Sequence, residues 1–389
     1  MKRSSAQKAK KPNIAVRLLA LLLTAVLVLG AVLLVVWHDR LNVDSLRRWL
    51  AYRSLETSDT GEAAPFTHGG GDKLSIAYLE SGILQASTSG SHYYSFSGEQ
   101  YAENVAAMSN PVLSASLRAG VVYDAGGRSL SLFRRGELSP FSLELDENDQ
   151  LLSARVNGAG WLAVTTQQSG FKGVVTVYNE NGAKVIQIRL SSAFAVDAAL
   201  SPDCKTVAVV TLDQKDGSFF SSLLLYPVDK EEPSAQVDLG NTVVLDLDYE
   251  ADRIWVLGED RITLVPADGS QPLTYSFGRS YLKGCSFGGD GFALLLLGRY
   301  RSGSAFEVLT IGPDAAPVAR LEPDGQVLSF SCAGNYCSLL TGRHLQIYTQ
   351  DLRPYASLDS TQSAVRTALA PNGSALLAND QKAWLFIPQ

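Results

Sequence analysis

One largely apolar pair recurs along the chain just ahead of a turn: Leu132-Phe133, Val177-Tyr178, Leu225-Tyr226, Leu264-Val265, Leu309-Thr310, Ile347-Tyr348 and Leu385-Phe386. The second members stand 45, 48, 39, 45, 38 and 38 residues apart. A self-similar unit of about 40–50 residues made of short strands is the sequence mark of a β-propeller. Each unit reads alike. In one of them an inner strand over Phe194–Leu200 is followed by the turn Ser201-Pro202-Asp203-Cys204-Lys205. A very apolar second strand over Thr206–Leu212 and a third strand carrying Leu225-Tyr226 come next. A further turn leads to an outer strand, as at Asn179-Glu180-Asn181-Gly182 and Ala267-Asp268-Gly269, where glycine supplies a positive φ.

The second strands Trp161–Thr165, Arg253–Leu257 and Phe292–Leu297 are apolar at consecutive positions. That pattern suits strands covered on both faces by neighbouring blades, whereas a two-sheet sandwich alternates. Inner strands are expected to begin near Val112, Leu151, Val196, Val243, Leu282, Val327 and Val365. Residues 66–97 add an eighth unit with Pro65-Phe66-Thr67-His68 as its inner strand, so eight blades are favoured over seven. The last unit stops after its third strand, at Phe386-Ile387-Pro388. An outer strand from the N-terminal part, Tyr93–Ser97, is expected to complete it, because an open ring leaves strand edges and apolar blade faces exposed.

Ahead of the repeats, residues 1–17 hold Lys2, Arg3, Lys8, Lys10, Lys11 and Arg17 and no acid, and Leu18–Trp37 follows without a charge. About 20 apolar residues match the hydrocarbon core as one helix, which is able to satisfy its own backbone there. Trp37 closes the span at the headgroup level, and the basic excess before it predicts a cytoplasmic N-terminus and a C-terminal domain outside the cytoplasm. A cleaved signal peptide would have a shorter apolar core and a small-residue cleavage site, so an uncleaved single-pass anchor is expected. Residues 38–72 read as a stalk and linker, and 73–389 as the propeller. Within the stalk, Asn42–Leu55 reads as an amphipathic helix with Leu46, Trp49 and Leu50 on one face. It either lies on the membrane surface, with Arg47, Arg48 and Trp49 at the interface, or packs on the domain.

The chain carries 33 basic and 39 acidic residues, and six of the basic ones but no acid fall in the first 38, leaving 27 against 39 beyond. An acidic domain argues against nucleic acid or anionic lipid as its own partner. Four cysteines are too few for a disulfide scaffold. Cys332 and Cys337 flank a turn-like Ala-Gly-Asn-Tyr, where a disulfide and a pair of small buried thiols both fit.

The segment Ser201–Ala208 resembles the Ser-Pro-Asp-Gly-Lys-x-Leu-Ala turn of WD-repeat-like and TolB-type propellers, and Ala370-Pro371-Asn372-Gly373 resembles a weaker copy. Cys204 replaces the turn glycine, and the Trp-Asp dipeptide of WD repeats is absent. The whole layout of basic tail, single helix, Asp44–Leu50 stretch and degenerate propeller resembles a bacterial domain family of unknown function. The resemblance implies a membrane-anchored propeller of the cell envelope and brings no catalytic residues.

The chemistry-bearing residues are sparse. No Gly-x-Ser-x-Gly motif occurs, and His38, His68, His92 and His344 are scattered without metal-ligand spacing. The acidic runs Asp146–Asp149 and Asp246–Asp252 lack the pattern of an EF-hand loop and read as solvated connections. Trp161, Trp255 and Trp384 fall in blade strands as core residues and do not form the regular docking repeats of quinone-cofactor propellers. No cofactor or metal is expected. A binding or scaffolding module is therefore the first functional reading, taking a protein, peptide or glycan partner through loop aromatics such as Phe219, Phe220, Tyr300 and Tyr355. An extracytoplasmic hydrolase or quinoprotein with a site in the channel is the alternative, and three or more acids meeting there would favour it.

Overall fold

Strands with consecutive apolar residues need cover on both faces, and they receive it here: all residues of Phe292–Gly298 are buried, and so are all of Tyr336–Thr341, Ser338 and Thr341 included. The computed structural model describes residues 19, 21–25, 28, 43–137, 139–215 and 217–389. These divide into two compact units, Met1–Arg53 and Ser54–Gln389. In the first, residues 19, 21–25 and 28 are helical, and a second helix runs over Val43–Tyr52. The rest of the expected span over Leu18–Trp37, the basic tail, Trp37 and Asn42 lie outside the described residues. Among the described residues no helix is long and apolar enough to cross a membrane.

The second unit is eight four-stranded antiparallel sheets, which settles the blade count at eight. The inner strands are Ser75–Leu79, Pro111–Ala115, Gln150–Val156, Phe194–Leu200, Val244–Glu250, Tyr281–Gly289, Val327–Ala333 and Arg366–Leu369. Each recurring apolar pair falls on a third strand, from Ser129–Arg134 in the second blade to Lys382–Phe386 in the eighth. Apolar clusters lie between blades rather than within them. Leu223, Leu225 and Val237 of the fourth blade, for example, pack with Leu247, Ile254 and Val256 of the fifth.

Closure differs from the expectation in its strand. Phe66–Thr67 is the outermost strand of the eighth blade, with Phe66 opposite Ala383 and Thr67 opposite Lys382. It is not an inner strand of the first blade, and Tyr93 and Tyr94 end the third strand of that first blade. The reason is the pairing available: Tyr93 and Tyr94 are already bonded between Ile83–Leu84 and the fourth strand of their own sheet. The hydrogen bonds Ala63 N–H to Leu385 O and Ile387 N–H to Gly61 O, each 2.8 Å, lengthen the join. Phe66 then reaches the neighbouring blade, its ring centroid 5.4 Å from that of Tyr94.

Alternating strand directions give the ring two distinct ends. Inner strands begin, and second strands turn into third strands, at one end, called the rim. Inner strands finish at the other, the cavity end. Because Phe66–Thr67 is antiparallel to Lys382–Phe386, the chain enters the ring from the cavity end.

Candidate functional site

Five successive inner strands carry a β-bulge at the same level: between Leu151 and Ser153, Ala195 and Asp197, Val244 and Asp246, Leu282 and Gly284, and Val327 and Ser329. A bulge resets which side chains face which way. Below it, Ser153, Asp197, Asp246 and Ser329 stand at one level and stitch neighbouring blades together. Ser153 Oγ donates to Asp197, and Thr367 N–H donates to Ser329 Oγ at 3.0 Å. One level further, Leu369 N–H donates to Ser331 Oγ at 3.0 Å and Cys332 N–H to Ser286 Oγ at 2.9 Å.

Only the end of the acidic run at 246–252 is a solvated connection, the exposed turn Ala251-Asp252. Asp246, Asp248 and Glu250 alternate along the inner strand of the fifth blade with Leu247 and Tyr249, which are buried in the core between the fourth and fifth blades. Period two sends the three carboxylates the other way, into a channel cavity of about 680 Å³ that they line with Arg155, Asp290, Cys285 and Tyr78. The remaining wall is mainly Ser, Ala, Gly and Leu, among them Ser114, Ala115, Ser286, Ser331 and Ala368.

Arg155 organises the carboxylates across three blades. Its Nε and Nη2 donate to Asp197, at 2.9 and 2.6 Å, and Nη2 also meets Asp246. Burial alone would lower the pKa of the guanidinium, but the pull of Asp197 and Asp246 outweighs it and raises the value. Asp248 lacks such a clasp. Burial pushes its carboxyl up to about 6, with Asp246 adding to the push and Arg155 opposing it. Burial also raises Glu250, against the 2.8 Å hydrogen bond from Gly291 N–H. It pushes the Cys285 thiol well up, with Asp246 and Asp248 adding. The wall therefore holds a protonatable carboxyl beside a fixed cation. Among the described residues no group of three His, Cys, Asp or Glu side chains is placed to hold a metal ion.

The residues singled out from sequence scatter. Phe219 and Tyr300 are exposed on second-to-third-strand hairpins at the rim, while Phe220 is half-buried beside the first of them. Tyr355 is on an outer strand, its ring 4.6 Å from that of Tyr336. Cys332 and Cys337 are direct cross-strand partners, buried and present as thiols. His68 is buried, its ring nitrogens 2.8 Å from the carbonyls of Gly69 and Asn379. On the helix Val43–Tyr52, Arg47 lies 3.3 Å from Asp44, Arg48 is buried with Nη2 on Ser45 Oγ, and Val43, Leu46, Trp49 and Leu50 are exposed.

Sequence reading missed most of the rim. Phe171, Phe194, Val243, Leu245, Tyr281 and Leu328 join Phe219 and Tyr300 there as exposed apolar or aromatic side chains on five consecutive blades. Among the described residues, the turns at the cavity end expose one large hydrophobic, Leu117, and the cavity-side starts of the outer strands add Tyr101, Val185, Leu273 and Val318 on the outer circumference of the ring.

These features define a closed eight-bladed β-propeller with an acid-walled channel at one end and an apolar rim at the other. The chain belongs to the family of unknown function DUF5711, which it matches over residues 52–278. None of the curated proteins compared with it matches. Among solved structures it is similar to the C-terminal WD40 domain of Sif2, with 12% identity and a TM-score of 0.58 over 84% of this chain and 99% of that one. The computationally designed Ika8 protein gives 11% and 0.59 over 82% and 97%. BamB from Moraxella catarrhalis gives 14% and 0.50 over 84% and 99%. At such identities the likeness is one of fold alone.

Proposed function

We propose that this chain is a binding or scaffolding module of the cell envelope. Residues 18–37 anchor it in the membrane, residues 1–17 lie in the cytoplasm, and the propeller stands outside. Residues 38–72 act as stalk and linker, the last of them drawn into the ring as its closing strand. The observation that carries the binding reading is the unequal dressing of the two ends, since exposed apolar patches rimmed by polar groups mark interaction surfaces. Supporting the membrane reading are the charge-free run behind a basic tail and the exposed stripe Val43, Leu46, Trp49 and Leu50. The partner is a protein, peptide or glycan.

The test is a photoreactive amino acid placed singly at Phe219, Tyr300 or Leu117 in the full chain within intact cells. Discrete adducts are expected from the two rim positions and none from Leu117. Equal labelling at all three, or none at the rim, would count against the reading.

The three carboxylates on the channel wall favour a second reading, an extracytoplasmic hydrolase working in the cavity. A carboxyl tuned to about 6 beside others is suited to acid–base work. Asp248→Asn discriminates between the readings.

A further inference from the structure

The rim is not uniform. Its sixth-blade part is built from two segments, Phe277–Lys283 and Gly298–Phe306, which contain Arg279, Lys283, Arg299 and Arg301 and no acid. Two exposed tyrosines, Tyr281 and Tyr300, stand among them, the latter 74% exposed. Lys283 Nζ donates to Arg301 O at 2.8 Å, which ties the inner-strand start to the hairpin. The Arg299 guanidinium lies 4.8 Å from the centroid of the Phe306 ring. No ion pair among the described residues engages any of the four cations. Acids stand on the neighbouring rim connections, Glu259 and Asp260 in the fifth blade and Glu322 and Asp324 on the way to the seventh, and of these Asp260 is taken by Arg261 at 2.8 Å and Thr242 at 2.7 Å.

Next to this cationic sector the rim turns apolar. Leu245 of the fifth blade and Phe194 and Phe219 of the fourth are each more than half exposed, at 54, 53 and 57%. Lys172 Nζ sits 5.2 Å from the Phe194 ring centroid, joining the third blade to the fourth. The acidic balance of the domain as a whole makes a local surplus of four cations notable. Arginine and aromatic side chains are also the types that concentrate binding energy at protein interfaces.

We propose that the rim of blades three to six is a docking surface for an acidic polypeptide segment bearing apolar or aromatic side chains between its carboxylates. Arg279, Lys283, Arg299 and Arg301 take the carboxylates, and Phe194, Phe219 and Leu245 take the apolar side chains. The aliphatic and phenyl surface suits a polypeptide better than a polyanionic glycan, which has hydroxyls to satisfy. A bilayer is the poorer occupant because the domain is acidic overall, with 27 basic against 39 acidic residues beyond residue 38. The proposal rests on the binding reading above and names the chemistry of its partner.

The test is a phage-displayed library of random peptides panned against the full-length chain in nanodiscs of uncharged lipid. Enriched sequences are expected to combine Asp or Glu with Phe, Leu or Trp. A synthetic representative should lose affinity by about tenfold or more, the scale of one good contact, with Arg299→Glu/Arg301→Glu and separately with Phe194→Ser, and not with Leu117→Ser. Its binding should also weaken as salt rises. All three variants change exposed side chains, and thermal midpoints confirm that each has folded. Enriched peptides that are basic or neutral yet still depend on the rim would overturn the acidic-partner assignment and leave the binding reading standing. Enrichment indifferent to the rim substitutions would sink both. A dimer of the chain that the same substitutions dissolve would assign the rim to a second copy, and the proposal would fall.

Discussion

A carboxyl held at about 6, as Asp248 is, keeps its proton more tightly in the folded chain than in the unfolded one. Its contribution to stability is therefore full below the unfolded value near 4 and is lost as pH rises through about 6. That rise in pKa is worth at most roughly 3 kcal/mol, and the partial exposure of the side chain reduces it to about 1–2 kcal/mol. Asp248→Asn is thus expected to stabilise the protein by that amount at pH 7.5 and to leave it unchanged at pH 4, read from urea midpoints of the full chain in detergent. A gain that is equal at both pH values would show that the shift is not the cause. If the channel is hydrolytic, the same substitution abolishes turnover of a panel of glycosides and esters that the parent cleaves. The placement of this residue was legible in Asp246-Leu247-Asp248-Tyr249-Glu250, whose strict alternation is that of a strand with one face buried. Charge density masked it, because four acids in seven residues also resemble a solvated loop. The rim residues gave less signal. Phe194 and Leu245 sit in apolar stretches that read as core, and which of them face water depends on bulge positions that no local pattern reveals.

Among the elements, the closing strand is the most exposed to failure. The seam between the eighth and first blades is sealed by small clusters, one of them Ile83, Ala368 and Leu376 with Phe66, Ile76 and Phe96 alongside. Gly61 sits at φ 84°, and a Cβ there would come 2.3 Å from Ile387 O, the atom next to the backbone bond that extends the join. Gly61→Val should therefore cost about 3 kcal/mol, a left-handed β-branched residue plus a clash. Limited proteolysis should release a C-terminal fragment beginning near residue 360 before any other. Cutting spread evenly over all blades would refute a local opening. Most strands could be placed from sequence because burial on both faces leaves consecutive apolar residues, and seven expected inner-strand starts fall within two residues of the observed ones. Phe66–Thr67 could not, being two residues long and partnered by the far end of the chain.

For the whole molecule, the repeat spacing was enough to indicate a propeller, because every blade solves the same packing problem against its neighbours. It was not enough to indicate the task, since the strands that build the ring are not the connections that dress its ends. The proposed anchor makes a direct prediction: the full chain stays with membranes through a carbonate wash, and a chain starting at Ser54 is released in folded form. Release of both would remove the anchor from the account. If the anchor holds, the closing strand bears load. The tether reaches the ring through the strand that closes it, so any pull along the tether arrives first at the hydrogen bonds between Gly61–Thr67 and the last strand. The clasp of the ring and its mooring line are the same few residues.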